Sequence, residues 1–328
     1  MKYSGFFRRH NFLLNISIII LFALFSLTII NYYEFGDRFV YRESYDIIAE
    51  NTLLDGIKLY FLYFSSPDFI WFLFAYLSSF FFLSFNSFTF FLSLAIFIAF
   101  FGVAKFYITN RRLYCLFIIN LFINIQFLTI FFSSERLGFA FLFFCFSLIS
   151  SGGFKKSILV ALSIFSHFTI TVLYMIAIAM RSASDNYSKN KKKFLLLIVS
   201  ILCLVFYMFG DLITTKAVHY FSNTTGVSKN FLKFLPVPFL VYFASKNSLH
   251  LFINIIFCVV LTIFDEERFF QLGYMFSCWA IYTLNSFRAL VVGVLFSIIP
   301  SIRGIEFIIG VFTRGNGLDP VNFGGGSL

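Results

Sequence analysis

Apolar residues run along this chain in long unbroken blocks separated by short polar connections. The first block extends from Phe12 to about Ile30 and is preceded by Lys2, Arg8, Arg9 and His10. Further blocks follow at about 69–85, 88–106, 113–132, 137–150, 158–180, 194–213, 231–244, 249–264, 269–285 and 288–312. None alternates with period two, which excludes a β-barrel. Continuous blocks predict helices in lipid, where each segment must satisfy its own backbone hydrogen bonds. The pattern therefore predicts an all-α polytopic transmembrane helical bundle of about nine to eleven spans, several blocks being shorter than the ~20 residues a spanning helix needs.

Charge placement refines this picture. The basic residues before the first block and the absence of a small-residue cleavage site predict a retained first helix with its N-terminus inside. The stretch 31–68 is the longest polar one and holds Asp37, Glu43, Asp46, Glu50, Asp55 and Asp68 against three basic residues. It reads as the main outside loop, with a surface helix around Tyr45–Phe64. Simple alternation would put Arg111/Arg112 and Lys155/Lys156 outside, against the positive-inside rule. One crossing fewer within 69–106 brings both pairs inside and leaves Glu135-Arg136 at the outer face. Segment 158–180 has basic residues at both ends, Lys155/Lys156 before it and Arg181 with Lys189–Lys193 after it. Either it crosses against the rule, or it dips in and returns with Ser166-His167 near the bend. Pro236-Val237-Pro238 predicts a broken or re-entrant segment, because proline removes helix hydrogen bonds. Residues 1–322 read as one membrane domain, and the tail 323–328 reads as a linker or tag scar.

Composition excludes whole classes. Of 328 residues, 60% are hydrophobic, 23% aromatic and only 12% charged, far from the balance of a soluble enzyme, a nucleic-acid binder or a disordered chain. The net charge of +10 is accounted for by topology and by contact with anionic membrane lipid. Cys115, Cys145, Cys203, Cys258 and Cys278 fall inside apolar blocks with no CxxC pair, so they read as small buried hydrophobes.

Ionisable groups at or within apolar blocks are expensive and mark candidate sites. Arg136 lies between two blocks in Ser133-Ser134-Glu135-Arg136-Leu137-Gly138; His167 sits within a block; Arg288 opens the last one. Bland readings stand beside each: a snorkelling helix-end arginine or an ion pair with Glu135, and a histidine bonding across helices. As a set, two arginines and a histidine suit a phosphate-bearing substrate, with guanidinium forks binding diphosphate and imidazole acting as base. No P-loop, GxSxG, HExxH, paired-His spacing or DxD is present. No metal or cofactor is therefore expected.

The order of features resembles the Wzy/EpsG-type polysaccharide polymerases of bacterial envelopes. The shared pattern runs through Asp37-Arg38-Phe39-Val40-Tyr41, Ser66-Pro67, Glu135-Arg136-Leu137-Gly138-Phe139-Ala140, Phe165-Ser166-His167-Phe168-Thr169, and Arg288 ahead of Phe296 and Pro300. It departs at Leu137, where the family often has Gln, and at Thr169, where Ser is expected. The resemblance implies an O-antigen or related polymerase of the bacterial inner membrane. Such an enzyme moves a growing glycan from undecaprenyl diphosphate onto a lipid-linked repeat unit at the outer face. It assigns His167 and Glu135 as candidate bases, Arg136 and Arg288 to the diphosphate, and Asp37 and Tyr41 to glycan. The implied partners are the lipid-linked oligosaccharide, membrane lipid and a chain-length regulator. Two other classes stay open. A lipid-linked oligosaccharide flippase should show internal repeats, and none is evident here. A glycan ligase usually has a larger late outer loop than about Leu212–Lys233, while an acyltransferase would want an acid within a turn of His167.

Overall fold

The computed structural model describes residues 7–64, 69–171, 174, 229–264 and 267–317. Ser66-Pro67, Arg181 with Lys189–Lys193, segment 194–213, Cys203 and the tail 323–328 lie outside the described residues. The described chain is all-helical. It divides into two compact units, one of residues 1–168 with 297–328 and the other of 169–296.

The first unit opens with α1 (Phe7–Tyr32), followed by α2 (Asp37–Glu50) and α3 (Leu53–Phe64). The polar stretch thus carries two helices rather than one surface helix. They part at Asn51-Thr52, where the Thr52 hydroxyl accepts the Asp55 amide (3.4 Å). Nor is α2 simply superficial: Arg38, Tyr41, Tyr45 and Ile48, spaced three and four apart, form its buried face. Next come α4 (Phe69–Phe80), α5 (Phe85–Tyr107), α6 (Arg111–Ile123), α7 (Ile125–Phe132), α8 (Glu135–Ile149) and α9 (Gly153–Ser166). Polar caps set several boundaries, as helix ends require: Ser84 accepts the Ser87 amide ahead of α5, and Asn110 accepts the Arg112 amide ahead of α6.

The block 113–132 is not one straight helix. It bends by 54° between α6 and α7. Asn124 sits at the break, its Oδ1 accepting the Gln126 amide (3.0 Å) and its Nδ2 donating to Asn120 Oδ1 (3.0 Å). The core of this unit is phenylalanine on phenylalanine. Phe22 of α1 stacks on Phe97 of α5 at 3.9 Å and meets Phe131 edge-on at 5.0 Å. A hydroxyl pair, Ser26 with Ser93 (2.6 Å), joins the same two helices, the small-polar contact that lets membrane helices approach.

The second unit contains α10 (Lys229–Phe234), α11 (Val237–Ser245), α12 (Ser248–Phe264), α13 (Glu267–Tyr282) and the start of α14 (Phe287–Arg314). The proline run breaks its segment as expected, with Pro236 between α10 and α11. Ser277 donates to Asn254 Oδ1 (2.7 Å), tying α13 to α12. Pro300 has no N–H to give, so the Phe296 carbonyl lacks its usual helical donor. The Tyr274 hydroxyl donates to that carbonyl instead, at 3.5 Å.

Among the described residues three helices are long and apolar enough to cross a membrane: Phe12–Tyr32, Phe85–Tyr107 and Phe287–Arg314. The bent pair α6–α7 makes a fourth if counted as one broken or re-entrant span. Other apolar blocks form shorter helices, among them Phe69–Phe80 and His250–Val259, below the ~20 residues of a full crossing. Large side chains such as Leu13, Leu62, Phe80 and Ile299 point outward, as lipid-facing positions do.

Candidate functional site

Four of the six residues singled out from sequence converge in the first unit. Residue 36 is a glycine at φ +73°, and this left-handed turn lets α1 swing into α2 at little cost. Asp37 and Arg38 therefore open α2, with Tyr41 one turn later. At the far side of the chain's path, Ser133 and Ser134 separate α7 from α8, so Glu135 and Arg136 occupy the first turn of α8.

The side chains then meet across this corner. Arg136 donates through Nε to the Tyr41 hydroxyl at 3.3 Å. Ser133 donates to Asp37 Oδ2, also at 3.3 Å. Glu135 is buried and accepts two bonds of 2.8 Å, from Trp71 Nε1 and from Thr89 Oγ1. Trp71 is itself packed between Tyr41 (5.3 Å) and Tyr60 (5.8 Å). The electrostatics follow from burial. Desolvation pushes the Tyr33 phenol up to about 12, the Asp37 carboxylate acting in the same direction and the Ser133 bond opposing it. Desolvation brings the Arg38 guanidinium down to about 10, with the Glu135 carboxylate opposing the shift. Arg38 is thus a cation at neutral pH.

His167 is placed by register. Helices α8 and α9 form an antiparallel hairpin in which the Ser163 hydroxyl donates to the Ala140 carbonyl at 2.7 Å. One turn from that pair, back along α8 and forward along α9, lie Arg136 and His167. They share one level of the hairpin. At that level α9 ends: His167 is extended (φ −161°, ψ 113°), buried, and followed by a single 3-10 turn, Phe168–Ile170. The apolar block 158–180 is therefore not one continuous helix, since α9 ends at Ser166.

Arg288 is different. It belongs to the second unit, is exposed, and lies 6.0 Å from the centre of the Phe243 ring. Of the cysteines, Cys115 is also exposed rather than buried, while Cys145, Cys258 and Cys278 are buried. Among the described residues no three His, Cys, Asp or Glu side chains are grouped to hold a metal ion.

The residue that sequence reasoning passed over is Arg38. It looked like one charge in a solvated loop, yet its side chain is completely buried. The signal was present in the spacing of Arg38, Tyr41, Tyr45 and Ile48, an amphipathic face with an arginine inside it. A second such signal is Gly138. A Cβ there would lie 2.9 Å from the Ile130 carbonyl and 2.7 Å from Ile96 Cδ1. Gly138→Ala is therefore expected to destabilise the protein by about 1–3 kcal/mol through overpacking. A lowered melting temperature of the detergent-solubilised protein checks this; an unchanged one would mean that the α7–α8 contact is looser than described.

Fold and site together define an all-helical, multi-pass membrane protein with a buried ionic corner at one end of its α8–α9 hairpin. No family model matches the chain, and neither a curated protein nor a solved structure is detectably similar to it.

Proposed function

We propose that the protein is a lipid-linked glycan polymerase of the bacterial inner membrane, working at the outer face with its N-terminus in the cytoplasm. The observation that carries this reading is the Asp37–Tyr41–Glu135–Arg136 corner with His167 on the same level. It holds the residue types needed to move a sugar from a diphosphate carrier. In the proposed reaction an acceptor hydroxyl of the new repeat unit attacks the anomeric carbon of the growing glycan. The C–O bond to undecaprenyl diphosphate breaks, and the leaving diphosphate takes the electron pair. Arg136 stabilises that developing charge in a water-poor setting. His167 takes the proton from the attacking hydroxyl. Glu135, with both oxygens already accepting bonds from Trp71 and Thr89, is the second candidate base. Asp37 and Tyr41 would meet glycan hydroxyls, and Arg288 remains a diphosphate ligand to be tested.

The test is the surface polysaccharide of the source bacterium, separated by gel, with alanine at Arg136, His167 or Arg288. Each variant is expected to stay in the membrane and to leave carriers bearing one repeat unit. Normal chain length with all three positions substituted would end the proposal. The bent α6–α7 pair also suits a transporter. Loss of even single units from the outer face on gene deletion would favour that class instead.

A further inference from the structure

We propose that Arg38 is a further arginine of the diphosphate site, acting beside Arg136. The inference rests on the polymerase reading for the identity of its ligand, but its geometry stands apart from it. Arg38 is fully buried, and only one of its three guanidinium nitrogens has a hydrogen-bond partner: Nη2 donates to Asn86 Oδ1 at 2.7 Å. Nε and Nη1 are buried with none. The group lies 5.3 Å from the Phe85 ring centre and 5.9 Å from that of Tyr33, so its plane is held while its donors stay open. Glu135 offsets the charge, but its two oxygens accept from Trp71 and Thr89.

A buried guanidinium with open donors is costly to keep, and buried polar groups in native proteins are satisfied as a rule. The missing element is an acceptor, and it must be oxygen-rich to serve nitrogens on different edges of the guanidinium. A diphosphate meets that need. Arg38 and Arg136 are linked through one face of α2. Tyr41, on the same face of α2 as Arg38, already receives the Arg136 Nε–H bond. The turn ahead of α2 is tied down by two backbone bonds, from the Glu34 and Phe35 amides to the Gly315 carbonyl (2.8 and 3.0 Å).

The experiment is titration of the purified full chain in lipid nanodiscs with inorganic pyrophosphate, against glucuronate at matched ionic strength. Arg38→Lys keeps the counter-charge to Glu135 while removing the planar fork, so the fold is retained. The double variant Arg38→Met/Glu135→Gln removes both charges and guards against a misfolded single mutant. The wild-type chain is expected to bind pyrophosphate and not glucuronate. Both variants should weaken pyrophosphate by about tenfold or more, the loss of a charge-assisted bond, while Arg303→Lys, at an exposed arginine paired with Glu306, leaves it unchanged. Three results would overturn the assignment: wild-type affinity in both Arg38 variants, no pyrophosphate binding by the wild type, or a preference for glucuronate. The two readings fail separately. Arg38-dependent pyrophosphate binding in a protein whose deletion leaves glycan length untouched keeps this site and ends the polymerase reading. Arg38-independent binding in a chain whose deletion does stop polymerisation has the reverse meaning.

Discussion

Glu135→Ala should lower the stability of the protein by about 2–6 kcal/mol, the cost of leaving two buried donors without their acceptor at about 1–3 kcal/mol each. Three groups lose by this single change. Trp71 Nε1 and Thr89 Oγ1 each lose a 2.8 Å acceptor, and the fully buried Arg38 loses the carboxylate that offsets its charge. Glu135→Gln should be milder. One amide oxygen still accepts, and the Thr89 hydroxyl can turn to accept from the new NH₂ group. The decisive variant is Glu135→Leu combined with Arg38→Met. Replacing both buried ionisable groups by apolar side chains removes the uncompensated Arg38 charge but leaves the Trp71 and Thr89 donors without their acceptor, so the double mutant should recover only part of what Glu135→Ala loses. Thermal unfolding in detergent, followed by the loss of the monodisperse peak, measures all of these. If Glu135→Ala melts with the wild type, the bonds assigned to Glu135 from Trp71 and Thr89 do not hold this corner together.

The second large effect is expected at Gly304 of α14. A Cβ there would collide with the Ile123 carbonyl and come within 2.9 Å of the Ile125 amide nitrogen. Both neighbours are backbone at the α6–α7 break, so no rotamer change relieves the clash. The helices must separate, which also strains the Asn120–Ser297 bond (2.9 Å) and the Ser301–Asn120 bond (3.4 Å). Gly304→Ala should cost about 1–3 kcal/mol from overpacking, with up to about 1.5 kcal/mol more for each bond lost. Gly304→Val should be worse. The matched control is Gly153→Ala, where a Cβ meets nothing within 4 Å. Equal melting temperatures for the alanine variants at 304 and 153 would show that α14 does not seat in that break.

These two positions also mark how far the sequence could be read. Apolar blocks located the long helices well: 88–106 became Phe85–Tyr107 and 288–312 became Phe287–Arg314. Length and hydropathy alone define such segments in lipid. The α6–α7 bend was not anticipated, because two asparagines barely interrupt an apolar average. Asn120 and Asn124 lie one turn apart, and their effect depends on Ser297, far along the chain. The site was legible in part for the same reason. Asp37, Tyr41, Glu135 and Arg136 stood out by charge or motif and do converge. Arg38 did not stand out, since a loop and an amphipathic helix share its composition until the face is counted. Arg288 has the same chemistry as Arg136, and sequence order cannot say which arginines will share a corner.

The first unit is discontinuous: residues 297–328 complete what residues 1–168 begin. A ribosome feeding this chain into a membrane therefore releases Asn120, Asn124 and the Gly36 corner long before Ser297, Ser301 and Gly315 exist. Until then Asn120 at the bend is without its partners Ser297 and Ser301, and the turn ahead of Asp37 lacks its backbone clasp. The ionic corner can reach its final form only after Gly315 has been made. A ribosome stalled or a chain cut just short of residue 297 should yield inserted helices that quality-control proteases recognise by the open α6–α7 bend.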